Sequence, residues 1–274
     1  MPDHPATAKP LALVTGASSG IGRVFAERLA ADGADVILVA RRRERLEALA
    51  RRLGEGGTRA EVIVADLTTP EGLAAVEARA SKGDVTMLVN NAGFQTYMPF
   101  VELDPDRAEG QIRAQVTTVV RLCRAVLPAM IARDEGAIVN VSSTLAFSAG
   151  MRAAHLPKRA TYAATKAFVN AFTEILASEL ESTGVRVQAL CPGVVRTEFH
   201  NVGDEPLLRP KIPVMEPEDV VTASLAALAL GDVVCQPALA NRALIDREGE
   251  ARHAVFAAGV SADLSPRYRG AGTG

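Results

Sequence analysis

Leu11-Ala-Leu-Val-Thr15 is an apolar run too short for a helix, and it passes directly into Gly16-Ala-Ser-Ser-Gly20-Ile-Gly22. From there a helical pattern, with Val24, Phe25 and Leu29 on one side, runs to about Ala31 or Asp32. A second apolar run follows, Asp35-Val-Ile-Leu-Val-Ala40. Two strands joined by one helix at this spacing form a right-handed parallel crossover, which leaves the glycine-rich turn at the carboxyl edge of a parallel sheet. Missing side chains there let a pyrophosphate approach the backbone, and the helix N-terminus offers free N–H groups and the positive end of a dipole. A glycine-rich strand-to-helix turn without any ligand fits the same local pattern.

The same alternation continues. Strands are expected at Glu61–Leu67, Val85–Asn90, Ala137–Val141, Val185–Cys191 and Val233–Cys235. Helices are expected at Arg43–Leu53, from Thr69-Pro70, at Asp106–Arg133 as one long element, around Tyr162, and at Pro217–Leu230 behind Pro-Glu-Asp. With 274 residues, 48% of them hydrophobic, the chain can bury one sizeable core and needs no second domain. The expected layout is a flexible start at 1–10, one domain over 11–238 with a proline-rich substrate lid at 198–217, and a partly helical extension at 239–274 ending in a disordered tail. Thirty basic residues against 32 acidic give a net charge of −2, so no global field draws nucleic acid or an anionic membrane. Cys123, Cys191 and Cys235 are odd in number and lack His partners at metal-ligand spacing; they read as reduced core thiols of a cytoplasmic protein, with no metal site. Met1–Pro10 holds no apolar run of signal-peptide length, and no later segment approaches about 20 uninterrupted apolar residues.

Residues with chemical potential gather at the strand ends. Tyr162 and Lys166 lie one helical turn apart on one face. A phenol titrates near pH ~10, so proton exchange at neutral pH needs roughly 4 kcal/mol of extra stabilisation of its anion. A Lys in a partly desolvated cleft, helped by a second positive charge such as an oxidised nicotinamide ring, could supply it. At the end of the second strand an acid would bond a ribose 2′-hydroxyl; this chain instead has Ala40 followed by Arg41, Arg42 and Arg43. The absent acid and Arg41 favour a 2′-phosphate and therefore NADP(H) over NAD(H), although these arginines also suit the solvated start of a helix. Asp66 could accept a bond from an adenine amino group, or simply cap the helix at Thr69-Pro70.

Taken together, Thr15–Gly22, Asn90-Asn91-Ala92-Gly93, Ser143, Tyr162-x-x-x-Lys166 and Pro192-Gly193 with Val195 and Thr197 resemble the motifs of a classical short-chain dehydrogenase/reductase, in the right order from residue 11 to about 200. The resemblance implies a doubly wound (Rossmann) α/β parallel sheet with helices on both faces, and reversible hydride transfer between a nicotinamide and a carbonyl or alcohol carbon. By the same resemblance Tyr162 is the acid/base, Ser143 binds the substrate oxygen, and Lys166 lowers the phenol's pKa and bonds the nicotinamide ribose. The implied cofactor site comprises Gly16, Ser18, Ser19, Gly20, Ile21, Gly22, Arg41, Asp66, Leu67, Asn91, Ala92, Gly93, Pro192, Gly193, Val195 and Thr197, with Tyr162 and Lys166. Members pack the Tyr162 helix against a symmetry mate, so a homodimer or homotetramer is expected. Two departures stand out. The family's helix asparagine, which supports a water next to the lysine, falls here on Gln115, and about six extra residues lie near 150–160, where Arg152, His155, Lys158 and Arg159 either recognise an anionic substrate or form a solvated loop. Three readings follow: an NADP-dependent oxidoreductase of a small or medium apolar carbonyl or secondary alcohol, an NADP-binding sensor with little turnover, and an epimerase or dehydratase.

Overall fold

In a computed structural model, which describes residues 9–153, 156–200 and 213–269, the strands in chain order are β1 (Leu11–Thr15), β2 (Asp35–Ala40), β3 (Ala60–Val64), β4 (Met87–Asn90), β5 (Gly136–Val141), β6 (Val185–Leu190), β7 (Val194–Val195), β8 (Val214–Met215) and β9 (Val234–Cys235). Seven form one parallel sheet in the order β3-β2-β1-β4-β5-β6-β9. The helices are α1 (Gly20–Ala31), α2 (Arg43–Glu55), α3 (Pro70–Ala80), α4 (Pro105–Ile112), α5 (Thr118–Ala132), α6 (Ala160–Glu179), α7 (Pro217–Ala229) and α8 (Ala243–Gly259). All five residues of β1 are buried because the strand is apolar on both sides and both sides are covered. Leu11 and Leu13 face a core shared with α3, α5 and α6, whereas Ala12 and Val14 face one shared with α1, α2 and α7. The chain winds outward through β1, β2 and β3, returns to β4 beside β1, and winds the other way through β5 and β6. The expected doubly wound sheet is therefore present, and its direction reverses between β1 and β4. A crevice at the carboxyl ends of those two strands is where such sheets bind ligands.

Two expectations need correction. The long helix expected over Asp106–Arg133 is divided: α4 and α5 are joined by a π-helical turn at Arg113–Thr117, closed by Thr118 Oγ1 donating to Arg113 O at 3.0 Å. The extra residue of that turn rotates Ala114 and Gln115 into the interior. Asp66 does not cap α3; Thr69 does, accepting from Gly72 N at 3.1 Å. The lid expected at 198–217 has ordered ends, since Glu198–His200 forms a 3-10 turn and β8 pairs in parallel with β7. Residues 201–212 of that lid, His155, 1–8 of the start and 270–274 of the tail lie outside the described residues.

Pro105–Ala132 has the length and mean hydropathy (1.3) of a membrane span, although, as expected, charged residues interrupt it and no run of about 20 apolar residues occurs. Its apolar side, with Val119, Leu122, Cys123, Val126 and Met130, is packed into the core. Residues 1–237 form one compact unit and 238–274 a second. In the second, α8 has no buried side chain and Val255 and Phe256 are exposed.

Candidate active site

The crevice is built first from Thr15, at the end of β1. Its hydroxyl donates to Val89 O (3.3 Å) and accepts from the backbone N–H groups of Asn91 and Ala92 (2.9 and 3.0 Å). Asn91 returns its amide to Thr15 O at 3.0 Å, so this side chain holds the two loops together. Asn90 points into the core and donates to Asn140 Oδ1 at 2.9 Å. Gly20 has φ +54, and a Cβ there would lie 2.9 Å from Thr197 Cγ2. The glycine turn and the segment after β7 therefore touch across the crevice, and only a residue without a side chain fits between them. Ser19 precedes α1 without capping it, unlike Thr69 at α3 and Asp104 at α4. Its hydroxyl accepts instead from Arg42. An uncapped helix start beside a side-chain-free turn and a cation suits a phosphate group, so these residues fit a dinucleotide. Ile21 packs on the core, Leu67 is buried there, and Pro192 O accepts from Thr144 N at 3.0 Å, tying the Pro192-Gly193 turn to the segment after Ser143.

The arginine over the glycine turn is Arg42, not Arg41. Arg42 donates to Ser18 Oγ (2.8 Å), Ser19 Oγ (2.7 Å) and Glu198 Oε2 (2.7 Å). Arg41 instead faces Asp66 at 3.8 Å, and Asp66 Oδ1 accepts from Thr68 N and Oγ1.

Beyond β5, Ser143 accepts from Leu145 N at 3.1 Å, and its hydroxyl is among the groups that favour the ionised form of the Tyr162 phenol. Both are buried, as is Lys166, whose Nζ lies 5.7 Å from the Tyr162 ring centroid and donates to Val141 O at 2.8 Å. Sequence reasoning missed Tyr97, whose ring meets that of Tyr162 edge-on with centroids 5.2 Å apart. Phe199 covers the other side at 5.9 Å. Tyr97 follows Gly93 by four residues in a loop without periodicity, so nothing in the sequence marks it. Burial pushes the Tyr162 phenol up to about 12, with Ser143 and Tyr97 pulling the other way, and pushes the Lys166 ammonium down to about 8. Lys166, expected to lower the phenol's pKa together with a bound nicotinamide, donates here to the Val141 carbonyl.

Gln115 points inward, but to other partners than expected. Its amide donates to Phe94 O at 2.7 Å and accepts from Thr165 Oγ1 at 2.9 Å, bridging the loop after Gly93 to α6. Gly93 has no room for a Cβ, which would lie 2.5 Å from Gln115 Nε2. Arg159 donates to Ser148 Oγ and O (2.7 and 2.9 Å) and to Pro157 O (3.1 Å), so it braces the 150–160 loop. Arg152 and Lys158 are exposed. No cluster of metal-ligating side chains occurs among the described residues, and the three cysteines are buried and form no disulfide.

Against known proteins, the family model described as short chain dehydrogenase matches residues 10–206. Oxidoreductase UcpA of Escherichia coli K12 is 38% identical over 221 residues, 80% of each chain. Among solved structures, a short-chain dehydrogenase from Sphingobium yanoikuyae in complex with NADPH superimposes with a TM-score of 0.87 at 37% identity, over 94% of this chain and 100% of that one. A bulky-bulky ketone specific alcohol dehydrogenase from Comamonas testosteroni gives 0.85 at 32%, over 96% and 100%.

Proposed function

Because this chain belongs to the short chain dehydrogenase family of NAD(P)-dependent oxidoreductases, we propose that it interconverts a carbonyl and a secondary alcohol, with NADP(H) preferred over NAD(H). The observation that carries the reading is that Ser143 and Lys166 are buried beside a buried Tyr162, with Tyr97 against its ring, at the carboxyl end of the sheet, on the same edge as the glycine turn. The nicotinamide supplies the hydride chemistry when bound. Tyr162 gives its proton to, or takes it from, the substrate oxygen, and Ser143 donates a hydrogen bond to that oxygen. Lys166, buried with a pKa near 8, holds a proton close to the point of exchange at neutral pH. Phe199 and Tyr97 make the surroundings of Tyr162 aromatic and dry, which suits an apolar substrate of small or medium size. Arg42 on the glycine turn supports a 2′-phosphate, with Arg41 and Asp66 beside it. A homodimer or homotetramer in the cytoplasm is the form in which we place it, on the outward apolar stripe of α6 and three buried thiols outside any disulfide. The test is a panel of carbonyls and alcohols, read by absorbance of the reduced nicotinamide with NADPH and NADH in parallel. Turnover should favour NADPH and drop by roughly 10²–10⁴ in Tyr162→Phe, with cofactor affinity little changed. Cofactor binding without turnover on any substrate would instead support the sensor reading.

A further inference from the structure

Glu198 stands in the segment after β7 and reaches 156 residues back along the chain to Arg42, with Oε2 2.7 Å from Nη1. Its two oxygens also lie 2.7 Å from Arg45 Nη1. These three side chains are about half exposed, at 49%, 43% and 48%. Arg42 has its remaining donors on Ser18 and Ser19. The pair of arginines therefore already holds an anion, supplied by the protein, beside the turn that would carry the phosphates. Glu198 also spans the crevice: Thr197 next to it packs on Gly20, while Arg42 and Arg45 lie at and after the end of β2. Two guanidiniums and one carboxylate leave a single net positive charge. A 2′-phosphate dianion entering that cluster meets the Glu198 carboxylate as well as the cations, and like charges at such distance oppose each other.

We propose that Glu198 is a cofactor-selectivity residue, whose carboxylate competes with the 2′-phosphate of NADP(H) for Arg42 and Arg45 and so restrains the preference for the phosphorylated cofactor. The inference rests on the reading that the 2′-phosphate lies at this arginine pair. In the phosphate-bound protein Glu198 yields its place on Arg42, and the strap from Thr197 to Glu198 is released from the far side of the crevice.

Binding alone tests this, without turnover. Adenosine 2′,5′-bisphosphate and AMP, which differ only in the 2′-phosphate, are titrated by calorimetry into the parent, Glu198→Gln and Glu198→Ala. Both variants should bind the bisphosphate about fivefold tighter than the parent, the scale that half-exposed ion pairs support, and AMP within about twofold. Two variants of different size guard against an effect of the new side chain, and a thermal melt confirms that each is folded. Unchanged or weaker bisphosphate binding, or an equal gain for AMP, overturns the proposal. The parent separates this from the cofactor reading: if the parent binds both ligands alike while the variants favour the bisphosphate, the NADP preference fails and the competition by Glu198 stands. If neither parent nor variants distinguish the ligands, both fall.

Discussion

At the scale of single residues, Lys166 shows most directly that the site is maintained against stability. Its ammonium is buried, touches one carbonyl, and has its pKa pushed from 10.5 down to about 8 by burial. Below pH 8 the folded and unfolded chains both carry the proton, and the folded chain bears the full cost of the buried charge. Between pH 8 and 10.5 the unfolded chain binds more protons, so stability rises with pH through that window; above it this cost is gone. The shift corresponds to about 3 kcal/mol, against about 1 kcal/mol for the bond to Val141 O. Lys166→Met should therefore melt at a higher temperature than the parent at pH 7, with the gap narrowing toward pH 10, while turnover is lost. Melting curves at both pH values check this, and a lower melting temperature at pH 7 would show that the lysine is not a strained group. Tyr162 and Lys166 were visible in the sequence because their spacing on one helix is local information. Tyr97 was not singled out, and Arg41 was preferred to the neighbouring Arg42, since side-chain direction in a loop has no period to read.

At the scale of elements, strand and helix positions agree closely with the apolar runs, because a strand buried on both faces must be apolar throughout and its ends fall at polar or glycine residues. β1 and β2 begin and end where the runs do. The π-helical turn at Arg113–Thr117 was hidden for the opposite reason: one extra residue leaves the apolar stripe on either side nearly in phase, and its cause is tertiary. Within that turn Gln115 joins Phe94 O to Thr165 Oγ1. An asparagine at this position is one bond shorter and cannot reach both from the same backbone. Gln115→Asn should lose one buried hydrogen bond, but Phe94 O keeps its bond from Gln111 and Thr165 Oγ1 its bond to Tyr162 O, so stability should fall by about 0.5–1.5 kcal/mol, while turnover below the melting range stays within about threefold. Chemical denaturation and steady-state rates measured on the same preparation check the two halves separately. Unchanged stability would mean that the bridge is dispensable, and a rise in turnover of a hundredfold or more would show the native residue to be a catalytic defect.

At the scale of the whole molecule, the doubly wound sheet leaves α6 with an inward face in the core and an outward face that is not polar. Val169 and Leu176 are buried, whereas Phe168 is 40% and Ile175 62% exposed, and Phe168 stacks on Phe172 with centroids 6.0 Å apart. Positions 168, 172 and 175 are spaced by four and three, so these side chains make a continuous stripe along one side of the helix. The sequence contains that stripe, but alone it cannot separate an outer face from an inner one, because both are apolar at helical spacing; the sheet order decides which side is covered. A stripe of aromatic and branched residues left outside a core is the pattern of an interface between copies, and a two-fold contact doubles each residue's effect because each meets its own counterpart's patch. Ile175→Glu introduces two charges into such a contact at no cost to the monomer's core. Sedimentation velocity should show the parent as a dimer or tetramer and the variant at roughly half that mass or less, with a melting temperature that now depends less on protein concentration. The active site is assembled from residues of one chain, so the variant should still bind the cofactor. A parent that sediments as a monomer, or a variant that keeps the parent's mass, would remove α6 from the assembly.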